Sequence, residues 1–444
     1  MSVTQRACLS ARRAKLSALT DGAACVVAAG RPQSRNFPAN VYPFRASSHF
    51  LYLVGASLDG AVFVQVDGES TLYVHRDTPS DVLWHGPSVP LVSLEEQTAC
   101  AVRYLDELDL NSIKGAMTLP VMDQATNSLL AAWVGREVSP NMISSVDEPL
   151  AQAMVSLRMV HDVWAIEELE RAAAVTVLAH EAARETIEPG IYAHHVWAAM
   201  QSVMTQNGMG WAYNPIVTPY GEVLHSHRLD YPLSKGDLLL IDVGAETETG
   251  WAGDVTRTWP VSGEYSSSQK AMYEVVLAAH AAAIEMVRPG VHYRDVHLAA
   301  CRVLTEGLVA LGVFRGDVEQ LVADDAHALF FPHGIGHLLG LDVHDMEDLG
   351  DRPGYAPGMS RSARFGLSHL RLDRPLEAGM VVTIEPGFYQ VPSLINDPDW
   401  RARLGDRIDW RCLDMFSDVR GIRIEDDVLV TEGSPRVLTA ALST

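Results

Sequence analysis

The sequence predicts an α+β protein in two parts, a smaller α/β domain over residues 1–156 and a larger one over 157–444. Three observations carry this. Short strand patterns alternate with helical ones up to about residue 150, an internal repeat follows, and the remaining polar clusters all fall beyond the start of that repeat. The repeat sets VLAHEAARETIEPGIYAHHVWAAMQSVMTQNG (177–208) against VLAAHAAAIEMVRPGVHYRDVHLAACRVLTEGL (276–308). Ala179-His180 and Pro189-Gly190 return as Ala279-His280 and Pro289-Gly290. Each copy reads as a helix stopped by Pro-Gly, then a second helix, with strands trailing behind. Two such halves, related by a pseudo-twofold, are expected to enclose a site on their shared sheet.

With 444 residues the chain can bury a large core in two or three domains. Hydrophobic residues make up 48% and charged ones 20%, the balance of a soluble globular protein. A net charge of −22 argues against nucleic acid and against a membrane as partner, since both need a basic face. The cysteines Cys8, Cys25, Cys100, Cys301 and Cys412 are scattered with no CxxC pair, which reads as reduced thiols in a cytoplasmic protein, forming neither disulfides nor a zinc site. Asp21 and Gly22 separate the basic Arg12, Arg13 and Lys15 from AACVVAAG, so a helix followed by a strand is expected there, not a signal peptide.

In the first domain the expected strands cover 24–28, 50–54, 61–66, 71–74 and 116–121, with a DGES turn joining the third and fourth. Helices are expected over 93–108 and 123–134. The segment VYPFRASSHFLYLVG (41–55) reads as a loop entering a buried strand. LRMVHDVWAIEELERAA (157–173) reads as a connecting helix with Asp162 as a plausible N-cap. Farther on, DPDWRARLGDRIDW should start a helix at Asp397-Pro398, with Trp400, Leu404 and Ile408 as its apolar stripe.

The chemistry is concentrated in the second domain. LLLIDVGAETETGWAGDVTRTWP (238–260) has the pattern of a β-hairpin whose two arms each hold an acid, Asp242 and Asp254, where a core-facing strand should want an aliphatic residue. A buried carboxylate is costly unless paired or bound to a cation, and two on facing strands repel, so a shared metal resolves both problems. FFPHGIGHLLGLDVHD (330–345) places His333, His337 and His344 among glycines that allow close backbone approach. VVTIEPGFY (381–389) and GIRIEDDVLV (421–430) alternate as half-buried strands, with Glu385 on the polar face of the first and Arg423 and Glu425 on that of the second. HSH (225–227) adds a further imidazole before the hairpin. Together Asp242, Asp254, His337, Glu385 and Glu425 make an oxygen-rich set that matches two divalent cations: Mn²⁺ foremost, with Zn²⁺, Co²⁺ and Fe²⁺ also fitting. Such sites most often perform hydrolysis.

In this order, DVG…GDVTRTWPVSG, PHGIGHLLGLDVHD, TIEPGFY and GIRIEDD resemble the motifs of the pita-bread metallopeptidases, and more narrowly the Xaa-Pro peptidases, prolidase and aminopeptidase P. The resemblance implies a pita-bread (creatinase/aminopeptidase) fold over 157–444, preceded by a creatinase-like N-terminal domain with an oligomer and substrate-access role. It implies that Asp242 chelates one metal, that Asp254 and Glu425 bridge both, and that His337 and Glu385 complete one shell each. Glu385 would also carry the proton from the attacking water to the proline nitrogen. His225, His333 and His344 would hold substrate and stabilise the tetrahedral intermediate, and Arg423 would orient a carboxylate ligand. Trp84, Tyr389 and Arg371 would contact substrate.

The two parents pull apart. YPFR and the DVLWHG around Trp84 are similar to aminopeptidase P, whereas HGIGH, LRLDRPLEAGM (370–380) and the long span between Glu385 and Arg423 are similar to bacterial prolidase. Because the second domain carries the chemistry, the reading leans to a dipeptidase acting on proline-containing dipeptides, with aminopeptidase P acting on short peptides as the alternative. In LRLDR, Arg371 would grip a dipeptide's terminal carboxylate. A homodimer or homotetramer is expected. A metal-free binding scaffold should have lost ligands, and a creatinase-like enzyme should lack the full set of five; none is missing.

Overall fold

The computed structural model describes residues 2–140 and 142–444. Its contacts divide the chain into two compact units, one of residues 1–166 with 348–352, the other of 167–347 with 353–444. The division falls inside the helix Val163–Thr186.

The first unit is a five-stranded sheet in the order Ala101–Tyr104, Glu69–Val74, Val62–Val66, Cys25–Ala28, Met117–Thr118. Its centre is antiparallel and both edge pairings are parallel. The hairpin turn expected at DGES holds Asp67 at φ 49° and Gly68 at φ 81°, the left-handed pair that matches strand twist in a two-residue turn. Val26, Val62, Val64, Leu130 and Val134 pack one face of the core. Arg12 and Arg13, basic residues on the helix Val3–Leu19, are buried. Arg12 grips both oxygens of Asp162 at 2.7 and 2.9 Å, and Arg13 donates to the Leu53 and Thr98 carbonyls at 2.8 and 3.0 Å, which lie at helix C-termini.

Three expectations are corrected here. Residues 50–54 lie in a helix, Ser48–Val54, closed by Gly55 at φ 73°. All seven of its residues are buried, so the apolar run carries no period by which a helix could be told from a strand. The helix expected over 93–108 is a shorter one, Leu91–Thr98, broken by Ala99 at φ 51°, after which the chain turns to the strand Ala101–Tyr104. The connecting helix is two helices, Glu148–Met159 and Val163–Thr186. Asp162 caps the second, accepting the Ala165 N–H at 2.9 Å.

In the second unit the two repeats form the helix pairs Val163–Thr186 with Ala193–Gln206 and Ser267–Met286 with Tyr293–Ala310. Gly190 and Gly290 turn each pair at φ 98° and 85°. Each pair is followed by sheet. The first sheet is Thr256–Pro260, Leu238–Asp242, Ile216–Thr218; the second is Val381–Ile384, Asp426–Leu429, Arg436–Val437; Gly387–Tyr389 pairs separately with Gly421–Arg423. This is the pita-bread architecture. The VVTIEPGFY and GIRIEDDVLV segments are therefore each two strands, interrupted at Glu385-Pro386 and at Ile424-Glu425. Proline cannot continue the ladder, and the break lets each Glu leave the pleat of its own sheet.

Backbone and buried charge join the halves. The Glu425 N–H donates to the Thr256 carbonyl at 3.0 Å. Arg257, 1% exposed, meets Asp426 at 2.8 Å and donates to the Glu425 carbonyl at 2.7 Å. Breaking such a buried pair costs about 3–5 kcal/mol. No helix among the described residues is long and apolar enough to cross a membrane.

Candidate metal centre

A cavity of about 620 Å³ opens in the second unit, within the range of small-molecule sites. Asp242, Asp254, His337, Glu385 and Glu425 all line it, as do His225, His333, His344, Arg371 and Arg423. Tyr389 does not: it is fully buried and reaches the wall through its hydroxyl, which meets His333 Nε2 at 2.8 Å and accepts from Arg423 Nη1 at 3.0 Å. Trp84 is not among the lining residues; it belongs to the first unit, 75% exposed on the helix Pro79–His85.

Each donor is delivered by a different device. Asp242 ends the strand Leu238–Asp242 and Asp254 precedes the strand Thr256–Pro260 of the same hairpin. Gly244 lets the arms close beside them, because a Cβ there would sit 1.7 Å from the Gly253 carbonyl oxygen. His337 is held against the strand Val381–Ile384: its N–H donates to Thr383 Oγ1 at 3.2 Å and its carbonyl accepts the Thr383 N–H at 3.0 Å. Glu385 N–H donates to the Ile335 carbonyl at 2.8 Å, which sets that carboxylate beside the imidazole.

The side-chain atoms converge. His337 Nε2 lies 3.3 Å from Asp254 Oδ2 and 3.8 Å from Glu385 Oε1. Its Nδ1 donates to the Leu338 carbonyl at 3.0 Å, which assigns the proton to Nδ1 and leaves the Nε2 lone pair facing the carboxylates. Donor atoms of Asp254, His337 and Glu425 lie within 4.8 Å of one another. Thr256 Oγ1 donates to Glu425 Oε2 at 2.6 Å, and Arg423 Nη2 to Asp242 Oδ2 at 2.5 Å.

The electrostatics state what the cluster lacks. Burial, then the charge of Asp242, pushes Asp254 up to about 7. Burial also pushes Glu385 up to about 7, against the pull of His337 and Arg423. Glu425 is raised well above the carboxylate range by burial and by Asp254 and Glu385. These acids cannot all ionise together without added positive charge. An oxygen-rich set with one imidazole lone pair, and no cysteine in the lining, fits hard or borderline divalent cations. The residues fit the metals.

Tyr213, which sequence reasoning did not single out, donates to Asp242 Oδ1 at 2.7 Å and to Asp254 Oδ1 at 2.5 Å. One hydroxyl proton is thus shared between two acids, fixing their spacing. Nothing in WAYNP marks it. Arg361 and His369 also line the cavity, and their sequence signal was the basic run around LRLDR. Arg371 is engaged: its Nη1 meets both oxygens of Glu347, at 2.9 and 2.6 Å. His344 Nδ1 lies 3.4 Å from the same carboxylate, and its ring is T-shaped on His337 with centroids 4.3 Å apart.

Residues 167–432 match the model of metallopeptidase family M24, and residues 9–117 match that of the aminopeptidase P N-terminal domain. Xaa-Pro aminopeptidase 1 of Streptomyces coelicolor is 31% identical, over 99% of this chain and 85% of its own length. Among solved structures, proline aminopeptidase P II of Yersinia pestis aligns with a TM-score of 0.79 at 29% identity, covering 100% of this chain and 97% of that one. A zinc-substituted Escherichia coli aminopeptidase P in complex with product aligns at 0.78 and 27%, with coverage of 100% and 97%. A buried carboxylate–imidazole cluster on this fold, in a chain whose residues 167–432 match that family, establishes it as a metal-dependent peptidase belonging to metallopeptidase family M24.

Proposed function

We propose that the protein is an Xaa-Pro aminopeptidase, releasing the residue that precedes proline from the N-terminus of short peptides. The observation that carries this is the convergence of Asp242, Asp254, His337, Glu385 and Glu425 at one cavity, in a chain whose full-length relatives bear that name. The lean toward a dipeptidase is given up. It rested on the likeness of HGIGH, LRLDRPLEAGM and the span between Glu385 and Arg423 to bacterial prolidase, whereas the relatives and solved structures that match nearly the whole chain are named Xaa-Pro aminopeptidases or aminopeptidase P. Arg371, the expected clamp for a dipeptide's carboxylate, has its Nη1 on Glu347 inside the protein.

In this reading the five donors hold two divalent ions, which when bound would lower the pKa of water and polarise the scissile carbonyl. Glu385 moves the proton from the attacking water to the departing proline nitrogen. Arg423 and Tyr213 orient Asp242, and Tyr213 also spaces it from Asp254. His333 has its Nδ1 proton on the Gly334 carbonyl at 2.8 Å and its Nε2 on Tyr389, so its ring is fixed as a wall for the substrate. His225 and His344 face the cavity and position the peptide. A wall that offers no acceptor for an amide N–H favours proline, whose amide has none; a secondary amide left unpaired there costs about 1–3 kcal/mol. Mn²⁺ as the native ion, a cytoplasmic setting, and assembly as a homodimer or homotetramer belong to the same proposal. The oxygen-rich donor set supports the first, and five unpaired thiols support the second.

Assay of the Mn²⁺-loaded protein on Ala-Pro-Ala, Ala-Pro and Ala-Ala-Ala tests the reading. Ala-Pro-Ala should be cleaved fastest and Ala-Ala-Ala hardly at all. Preference for Ala-Pro, lost in Arg371→Ala, would return the protein to the dipeptidases.

A further inference from the structure

A second buried cluster of metal-ligating side chains lies apart from the carboxylate cavity. The helix Tyr293–Ala310 carries His297 and Cys301 on its buried face, four residues apart and so one turn from each other. The short 3-10 helix Ala326–Leu329 brings His327 against them. One donor atom from each residue lies within 4.8 Å of the other two. His297 Nε2 is 3.3 Å from Cys301 Sγ and 3.0 Å from the Gly366 carbonyl oxygen. None of these residues lines the cavity.

Ordinary packing leaves this cluster unsatisfied. All three side chains are 0% exposed, yet both ring nitrogens of His327 and Nδ1 of His297 have no hydrogen-bond partner among the described residues. Each such orphan costs about 1–3 kcal/mol. Burial lowers His297 to about 4 and His327 to about 3, so both rings are neutral and keep a lone pair. Gly366 leaves the space open: a Cβ there would stand 3.0 Å from His327 Nε2 and 2.6 Å from Asp325 Oδ1.

We propose that His297, Cys301 and His327 form a further metal site, taking a borderline-soft divalent cation of the Zn²⁺ class, with the Gly366 carbonyl oxygen beside them as a fourth donor. One thiolate and two imidazoles suit that class, as the carboxylate cavity suits harder ions. Bond lengths of about 2.3 Å to sulfur and 2.0–2.1 Å to nitrogen put donors about 3.3–3.6 Å apart across a tetrahedral centre. For His297 Nε2 to become a ligand, its proton moves to Nδ1 and the hydrogen bond to the Gly366 carbonyl gives way. Its observed separations of 3.0 Å from that oxygen and 3.3 Å from Cys301 Sγ then need only a slight spreading. On binding, the Cys301 S–H bond breaks, its proton passes to solvent and the sulfur–metal bond forms. The ion braces the helix against the segment leading to His333: Phe331 lies between the rings of His297 and His333, with centroids at 5.4 and 4.8 Å.

Cobalt distinguishes this site from the cavity, because only a thiolate ligand yields a sulfur-to-cobalt charge-transfer band in the near ultraviolet. Co²⁺ titration of the metal-stripped full chain should produce that band. It should survive in Asp254→Asn, which damages the cavity, and vanish in Cys301→Ser with the loss of one bound ion per chain. X-ray absorption at the zinc edge of the Zn²⁺-loaded native protein should show a sulfur shell, a measurement that needs no variant to fold. A band that persists in Cys301→Ser would overturn the proposal. So would the absence of both band and sulfur shell in fully loaded protein whose thiols titrate as reduced.

Discussion

Arg423 Nη2 lies 2.5 Å from Asp242 Oδ2 at the buried floor of the cavity, although 181 residues separate the two in sequence. Burial opposes the guanidinium's charge, yet Tyr389, Asp242, Glu385 and Glu425 hold it firmly protonated. Arg423→Ala should therefore act twice. The metal-free protein should lose about 3–5 kcal/mol, as when one partner of a buried pair is removed. Metal affinity should fall about 10–100-fold, because Asp242 is no longer aimed. Denaturant unfolding and competitive metal titration read the two effects separately. Lysine should restore only part, since a point charge lacks the planar fork.

Removing the metals should abolish peptidase activity, and Mn²⁺ should restore it. The loaded protein should also melt at higher temperature, by the linkage expected of any ligand that binds only the folded state. Elemental analysis beside a thermal melt checks both, and full activity in verified metal-free protein would contradict the assignment.

Glu385→Gln should lose kcat by about 10²–10⁴-fold on the general acid–base contribution alone, with any ligand loss added to it. Steady-state kinetics at saturating Mn²⁺, with metal content measured on the same sample, separates the two. Near-normal kcat with both ions bound would remove Glu385 from the chemical step.

Glu347 supplies a pH signature. Burial alone would raise its carboxyl, but His344 and Arg371 pull it down to about 2. A depressed acid contributes stability above its unfolded value near 4.5 and loses it as pH falls towards 2. Native and Glu347→Gln proteins should thus differ in stability at pH 6 and converge near pH 2. A third of Glu347 is exposed, which keeps the difference small and salt-sensitive. Urea titrations across that range, at two ionic strengths, are the check.

Most of the residues that sequence alone brought to this cavity share one property: Asp242, Asp254, His333, His337, Glu385, Arg423 and Glu425 are acids, imidazoles or a guanidinium set in an otherwise apolar strand or glycine-punctuated segment. Asp242 after LLLI and Glu385 after VVTI violate the local pattern, and a violation can be seen without a structure. Tyr213 violates nothing, since a tyrosine among Trp, Ala and Asn is ordinary, and its partners lie 29 and 41 residues downstream. Arg371 shows the opposite limit. Its charge was visible, but Glu347, which engages it, comes from a short 3-10 helix, Glu347–Leu349, 24 residues upstream. Helix Ser48–Val54 escaped for a different reason, because a segment buried on every side has no polar face to betray its period.

The sequence distance between Arg423 and Asp242 also governs when the cavity can form. Contacts between residues so far apart pay their loop-closure entropy late, after the local helix pairs have formed. The donors of the cavity should then still be scattered in the folding transition state, where a cation would find no complete shell. Stabilisation that arises after the barrier acts on escape from the native state alone. Mn²⁺ should accordingly slow unfolding while leaving the refolding rate unchanged, so that the loaded peptidase is long-lived without being quicker to assemble.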